Sequence, residues 1–203
     1  MKKLLSILAV VLLFGMVHAQ EDESTLAGKV RVSGGFGGPF FGYSQIENHT
    51  GFGGGGGGAV IINDFFFGGF GQGDTYGQHK VAGLNYDLSL GQGGFWLGYV
   101  WPSKRLVHGF GSFKLGFGEA QLDRNQLEGE PVGGSDYEDK VLSMTPELGV
   151  EINIAHWVRL AVTGGYRWVN GIDKLPYYID SDFRSPVLGM TLRFGNFGYK
   201  KEE

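Results

Sequence analysis

Hydrophobic and polar positions alternate one for one along three segments near the C-terminus. Over Leu142–Ile154, Leu142, Met144, Pro146, Leu148, Val150, Ile152 and Ile154 share one parity, and Ser143, Thr145, Glu147, Gly149, Glu151 and Asn153 share the other. Over Val158–Trp168, Val158, Leu160, Val162, Tyr166 and Trp168 alternate with Arg159, Thr163, Gly165 and Arg167. Over Val187–Phe194, Leu188, Met190, Leu192 and Phe194 alternate with Gly189, Thr191 and Arg193. A period of two puts successive side chains on opposite faces, so each segment predicts a strand with unlike faces; the 3.6-residue period of an amphipathic helix does not fit. Lys29–Ile46, Phe52–Ile62, Phe65–Gln72, Asp87–Trp101 and Leu106–Leu122 complete a set of eight predicted strands. Pro39 and Pro146 imply a bulge, an end or a local break in the ladder, because proline has no N–H to donate.

The connections differ in length. Asn63-Asp64, Pro102–Arg105 and Ala155–Trp157 are short, whereas Gly73–Tyr86, Asp123–Lys140 and Asn170–Ser185 are long; Glu47–Gly51 is a brief exception. Short turns on one rim and longer loops on the other are the layout of an outer-membrane barrel, and an even strand count puts both termini on the short-turn side. Most segments can supply the roughly 9–11 residues that a tilted strand needs to cross a bilayer. Tyr43, Tyr99, Trp101, Trp157, Tyr166 and Trp168 fall mostly near strand ends, where they would form interfacial girdles. The predicted fold is all-β: a transmembrane antiparallel up-and-down β-barrel of eight strands over residues 29–197.

Composition supports that reading. Glycine contributes 38 of 203 residues, a load that disfavours helices, since each interior Gly costs about 1 kcal/mol relative to Ala. Collagen needs glycine at every third residue, which is absent, and 42% hydrophobic residues are too many for simple disorder. The run Gly53–Gly58 sits inside a predicted strand, with a mobile loop as the other reading; its formal match to a dinucleotide fingerprint is discarded because no βαβ context surrounds it. A net charge of −4 gives no basic surface for nucleic acid, and the lack of cysteine excludes disulfides and thiolate chemistry. Met1-Lys2-Lys3, the apolar run Leu4–Val17 and the small Ala19 have the order of a secretory signal peptide cleaved after residue 19. The expected organisation is a signal peptide (1–19), an N-terminal lead (20–28), the barrel (29–197) and a charged tail (198–203).

If the apolar parity faces lipid, the polar parity fills the lumen. Glu147, Glu151, Arg159, Arg167 and Arg193 lie on it, with Lys114 on the polar side of its own strand. The interior of eight strands is only wide enough for side chains, and a lone buried charge is very costly. These six residues are therefore expected to form an internal ion-pair network that plugs the lumen. The three-residue turn at Ala155–Trp157 sets Glu147 diagonal to Arg167 and Glu151 near Arg159. A narrow gated ion path or a small pore is the alternative use of the same charges. A Ser-His pair, His108 with Ser112 and Glu119 or Glu147 as orienter, would suit an outer-membrane lipid-modifying enzyme. Polar residues on a polar face need no such role, and neither a Gly-x-Ser-x-Gly elbow nor a Ser-x-x-Lys motif is present. No enzyme activity and no cofactor are expected. His49, His79, His108 and His156 lack metal spacing. The acidic stretch from Glu128 to Asp139 lacks EF-hand spacing and is expected to be a solvated loop.

From Gly37-Gly38-Pro39 onward the chain resembles the small outer-membrane β-barrel proteins of the porin-like, OmpA/OmpX-type group, particularly those of Bacteroidetes-type bacteria. The resemblance is carried by Ala59-Val60-Ile61-Ile62-Asn63, Tyr99-Val100-Trp101-Pro102-Ser103-Lys104 and Pro146–Asn153. Trp157-Val158-Arg159-Leu160, Gly165–Gly171 and Leu192–Phe197 add to it. It implies an outer-membrane location, contact with outer-membrane lipid, and the barrel-assembly machinery as a partner in biogenesis. It implies a structural or surface-interaction role, and it does not identify what the loops bind. Such proteins usually end in an aromatic residue, whereas here Phe197 is followed by Gly198–Glu203.

Overall fold

The computed structural model describes residues 31–47, 49–81, 84–101, 105–124 and 137–198. The predicted signal peptide and lead, turn residues 102–104, the acidic stretch up to residue 136 and the tail beyond Gly198 lie outside the described residues. Eight strands follow one another: β1 (Val32–Ile46), β2 (His49–Ile62), β3 (Phe65–Val81), β4 (Leu84–Val100), β5 (Val107–Arg124), β6 (Tyr137–Ala155), β7 (Val158–Asn170) and β8 (Ser185–Asn196). Each pairs with the next, and β8 closes antiparallel on β1, giving a closed eight-stranded barrel.

Closure is staggered. Opposed residues run from Ser44 through Val187, Gly165, Glu147, Ser112, Gly98, Phe66 and Ile61 and return to β1 at Gly34, ten residues below the start. A stagger of this kind tilts the strands against the barrel axis and fixes the bore. The parities of β6–β8 face as predicted. Leu148, Val150, Val162, Leu188 and Met190 are exposed on the outside, and Glu147, Glu151, Arg159, Thr163, Arg167, Thr191 and Arg193 are buried inside.

The strands run further than their apolar patterns. Gly73–Tyr86 is not a loop: β3 and β4 stay paired to Val81 opposite Leu84, past a register shift between Thr75 and Gln78. Gly77 takes φ +75° there, a backbone that glycine adopts without steric cost. The glycines and polar residues of Gly73–Gly77 look like turn signals, yet Asp74 and Tyr76 point inward and are buried. Residues 137–140 likewise belong to β6, and Asp123 and Arg124 to β5.

Gly53–Gly58 is strand, paired to β1 on one side and β3 on the other. Inward glycines elsewhere make room for rings: a Cβ on Gly149 would come within 2.6 Å of the Phe110 ring, and Gly98 lies against the Phe66 ring. On the outer face of β3, Gly71 and Gly73 have open space where a Cβ would stand, so packing does not require them to be glycine. Pro146 breaks the ladder as expected: β6–β7 pairing passes from Met144–Trp168 directly to Glu147–Gly165.

Two apolar clusters fill the interior. Phe36, Phe40, Phe66, Phe70, Trp96 and Phe110 pack towards the short turns, with Phe36, Phe66 and Trp96 edge to face at centroid distances of 5.4–5.5 Å. Ile46, Tyr76, Tyr86, Leu88, Leu90 and Leu122 pack towards the long loops.

Candidate functional site

The charged side chains lie among these clusters in three groups. Nearest the short turns, fully buried Glu151 is shared by three partners. Its Oε2 lies 3.1 Å from His108 Nε2 and accepts from Arg159 Nη1 at 3.4 Å, and its Oε1 accepts from Arg193 Nη1 at 3.4 Å. One carboxylate cannot balance two guanidiniums, and ring faces supply the rest. Arg193 lies 4.3 Å from the Phe110 centroid and 4.6 Å from that of Phe36, with Phe66 and Trp96 also against it. Its Nε and Nη2 have no hydrogen-bond acceptor among the described residues. The negative faces of four rings around a desolvated cation take the place of acceptors. Arg159 stacks 3.9 Å over Phe197, which turns inward past the end of β8.

In the middle, Lys114 Nζ and Ser112 Oγ each donate to Glu147 at 2.9 Å, and Lys114 lies 4.9 Å over the Phe40 ring. Ser143 bonds Gln92 on the same level. Nearer the loops, Arg167 donates from Nη1 to Asp74 at 2.9 Å and from Nη2 to the Tyr76 hydroxyl at 2.7 Å. Tyr76 bonds Ser44 at 2.8 Å, and Gln72 donates to Asp74 at 2.7 Å. Between the middle and loop-side groups a cavity of about 30 Å³ is bounded by Phe40, Phe70, Lys114, Glu147 and Arg167, room for about two water molecules.

All six charges expected in the lumen lie inside the barrel, but not all in the expected pairs. Glu151 meets Arg159. Glu147 does not meet Arg167: the register still sets the two diagonal, with Glu147 opposite Gly165, but Glu147 accepts from Ser112 and Lys114 on β5, and Arg167 reaches across the bore to Asp74 on β3. Asp74 and Tyr76 were hidden from a sequence reading because they stand in a stretch rich in turn residues. The aromatic cage was hidden because Phe65, Phe66 and Phe67 are apolar on both faces, so no alternation marks Phe66 as the inward one.

The Ser-His arrangement does not form. His108 goes to Glu151 and Ser112 to Glu147, and Glu119, seven residues along an unbulged strand, has the parity opposite to Ser112. Among the described residues no group of three acids or histidines could hold a metal ion.

At the loop end, residues 171–184 fold back over the mouth. Asp139 Oδ2 accepts the backbone N–H groups of Asp173, Lys174 and Leu175 at 2.7–3.0 Å. Asp180 Oδ1 accepts those of Gly171 and Ile172 at 2.8–2.9 Å. Ile172, Leu175, Tyr178 and Phe183 thereby join the loop-side cluster, while Tyr177 and Ile179 are left outside, 77% and 62% exposed. Burial pushes the Tyr178 phenol up to about 12, with the charges of Glu47 and Asp182 adding to it.

The six aromatics expected at the membrane interfaces divide between the two ends of the barrel. Tyr99, Trp101 and Trp157 lie by the short turns; Tyr99 and Trp101 are 6.3 Å apart, and Trp157 stacks on Phe194 at 6.1 Å. Tyr166 and Trp168, 4.8 Å apart, and Tyr43, 5.5 Å from Phe52, lie in the loop-side half.

The sequence matches no protein-family model and no curated protein. Among solved structures, Neisserial surface protein A is similar at a TM-score of 0.58 and 16% identity, over 82% of this chain and 98% of that one. Ail, the attachment invasion locus protein of Yersinia pestis, aligns at a TM-score of 0.47 and 14% identity, over 81% of this chain and 99% of its own. At such identity the likeness to the Neisserial protein is one of fold.

Proposed function

We propose that the chain is an outer-membrane β-barrel protein with a structural or surface-interaction role, its bore plugged by side chains and its loops left for contact with other molecules. It reaches that membrane by export and assembly, with outer-membrane lipid around its wall and the barrel-assembly machinery as its partner in biogenesis. It belongs with the OmpA/OmpX-type barrels in this reading. The observation that carries the plugged bore is the stack of filled layers: a ring cage around Arg193, the Lys114–Glu147 pair, the Arg167–Asp74 pair and the loop-side apolar cluster, with a cavity of about 30 Å³ between the middle and loop-side layers. The apolar outer face supports the membrane placement, since a closed barrel is the one sheet structure without free edges in hydrocarbon.

The test is fractionation of expressing cells followed by gel mobility with and without boiling. Recovery in the outer membrane, with a band that shifts on boiling, is expected. A soluble protein without a shift would overturn the placement.

A further inference from the structure

We infer that an open groove of about 800 Å³ on the outer wall seats one acyl chain of a membrane lipid; this rests on the membrane placement proposed above. Two adjacent outward rows of opposed residues run across the strands there. One row is Phe67, Leu97, Phe113 and Pro146, a continuous ridge of carbon. The other is Phe65, Tyr99, Gly111, Leu148 and Gly164, in which glycine bares the backbone on both sides of Leu148. The groove lies where the second row is interrupted.

Its shape is not imposed by internal packing. A Cβ on Gly111 would meet Leu148 Cδ2 at 3.5 Å and the Glu147 carbonyl at 3.9 Å, ordinary contact distances. The site could carry a side chain and does not.

The chemistry selects the occupant. Phe67, Leu97, Phe113, Leu148 and Tyr166 present carbon to the groove, and the carboxylate of Glu147 beneath it is held on the inner side by Lys114 and Ser112. The groove's remaining polar tips, the hydroxyls of Tyr99 and Tyr166, stand at its two ends. It runs from Tyr99 of the short-turn girdle to Tyr166 of the loop-side girdle, which is the hydrocarbon layer in the proposed placement. A second barrel meets this wall convex against convex and cannot fill an indentation, whereas a slender hydrocarbon chain can. The extra carbon contacts on both flanks distinguish such a chain from lipid that merely adjoins the smooth wall.

Native mass spectrometry of the full chain, reconstituted with palmitoyl-oleoyl phosphatidylethanolamine and released from nanodiscs, tests this. The wild type is expected to retain one lipid, and Gly111→Leu to lower that occupancy by about tenfold, equivalent to ~1.4 kcal/mol. Gly71→Leu, on an open outer site of β3, is expected to keep the lipid, and all three proteins are expected to keep the boiling-dependent gel shift. Undiminished lipid on Gly111→Leu overturns the inference, as does a wild type with a normal gel shift that carries no lipid or carries a second copy of itself. A chain that fails to enter the bilayer and shows no gel shift overturns the membrane placement and the inference with it.

Discussion

Strands β6–β8 send Glu147, Glu151, Arg159, Arg167 and Arg193 into the bore, whereas β1–β4 send Phe36, Phe40, Phe66, Phe70 and Trp96, with Asp74 as their buried acid. Neither half could fill the interior alone. The C-terminal half carries more guanidinium than carboxylate, and the N-terminal half supplies what is missing: ring faces for Arg193 and an acid for Arg167. Arg193 with Phe66 and Trp96, and Arg167 with Asp74, join strands that are not neighbours in the ladder. The barrel is therefore closed twice, by backbone pairing around the wall and by side-chain contacts across the bore.

The largest expected effect comes from removing the charge on which the C-terminal half converges. Glu151→Gln leaves Arg159 and Arg193 without their carboxylate, and unfolding by urea in lipid vesicles is expected to show a loss of about 3–5 kcal/mol. Asp74→Asn removes the charge pair that joins Arg167 to β3. Arg167 keeps the Tyr76 hydroxyl, so a smaller loss of about 1.5–3 kcal/mol is expected in the same measurement. Gly149→Ala pushes a methyl group into the Phe110 ring and is expected to cost about 1–3 kcal/mol by overpacking.

A smaller effect concerns the loop-side cap, whose stability should depend on alkaline pH. The folded phenol of Tyr178, at about 12, lies above its ordinary 10.0, so the neutral form is the one the cap favours. Its contribution is complete below pH 10 and falls as pH rises from 10 towards 12. Limited proteolysis within residues 171–184 is expected to accelerate over that window, and Tyr178→Phe should abolish that part of the pH dependence. The smallest change is expected from Gly71→Ala, which adds a methyl group to open space and should alter stability by less than about 0.5 kcal/mol. A large loss there would erase the distinction between glycines that make room for rings and glycines that pave the outer wall.

The same contrast explains what the sequence could show. The strands of the charged half were legible because Val158–Trp168 and its neighbours alternate cleanly, and alternation assigns both strand and face. Arg159, Arg167 and Arg193 therefore come out inside. Their partners are not fixed by register alone: Glu147 stays diagonal to Arg167 yet bonds Ser112 and Lys114 on the other neighbouring strand. In the other half, Phe65-Phe66-Phe67 and the glycine runs carry no polarity difference, so the strand is recognisable but its faces are not. The extension of β3 beyond Gln72 was obscured for a third reason. Beyond the apolar belt a strand no longer needs apolar outer residues, and Gly73-Asp74-Thr75 then looks like a turn. The β7–β8 connection was placed correctly, but its attachment by Asp139 and Asp180 involves carboxylates bound to backbone N–H groups, for which sequence offers no spacing rule.

The central claim is that side chains from both halves close the bore, and current recording tests it most directly. Protein showing the boiling-dependent shift would be incorporated into planar bilayers, alongside Glu147→Gln. No stepwise conductance from the wild type, and none from the variant, is the result this account predicts. Stable unitary openings of the wild type, increased by Glu147→Gln, would contradict it and make the buried charges the lining of an ion path.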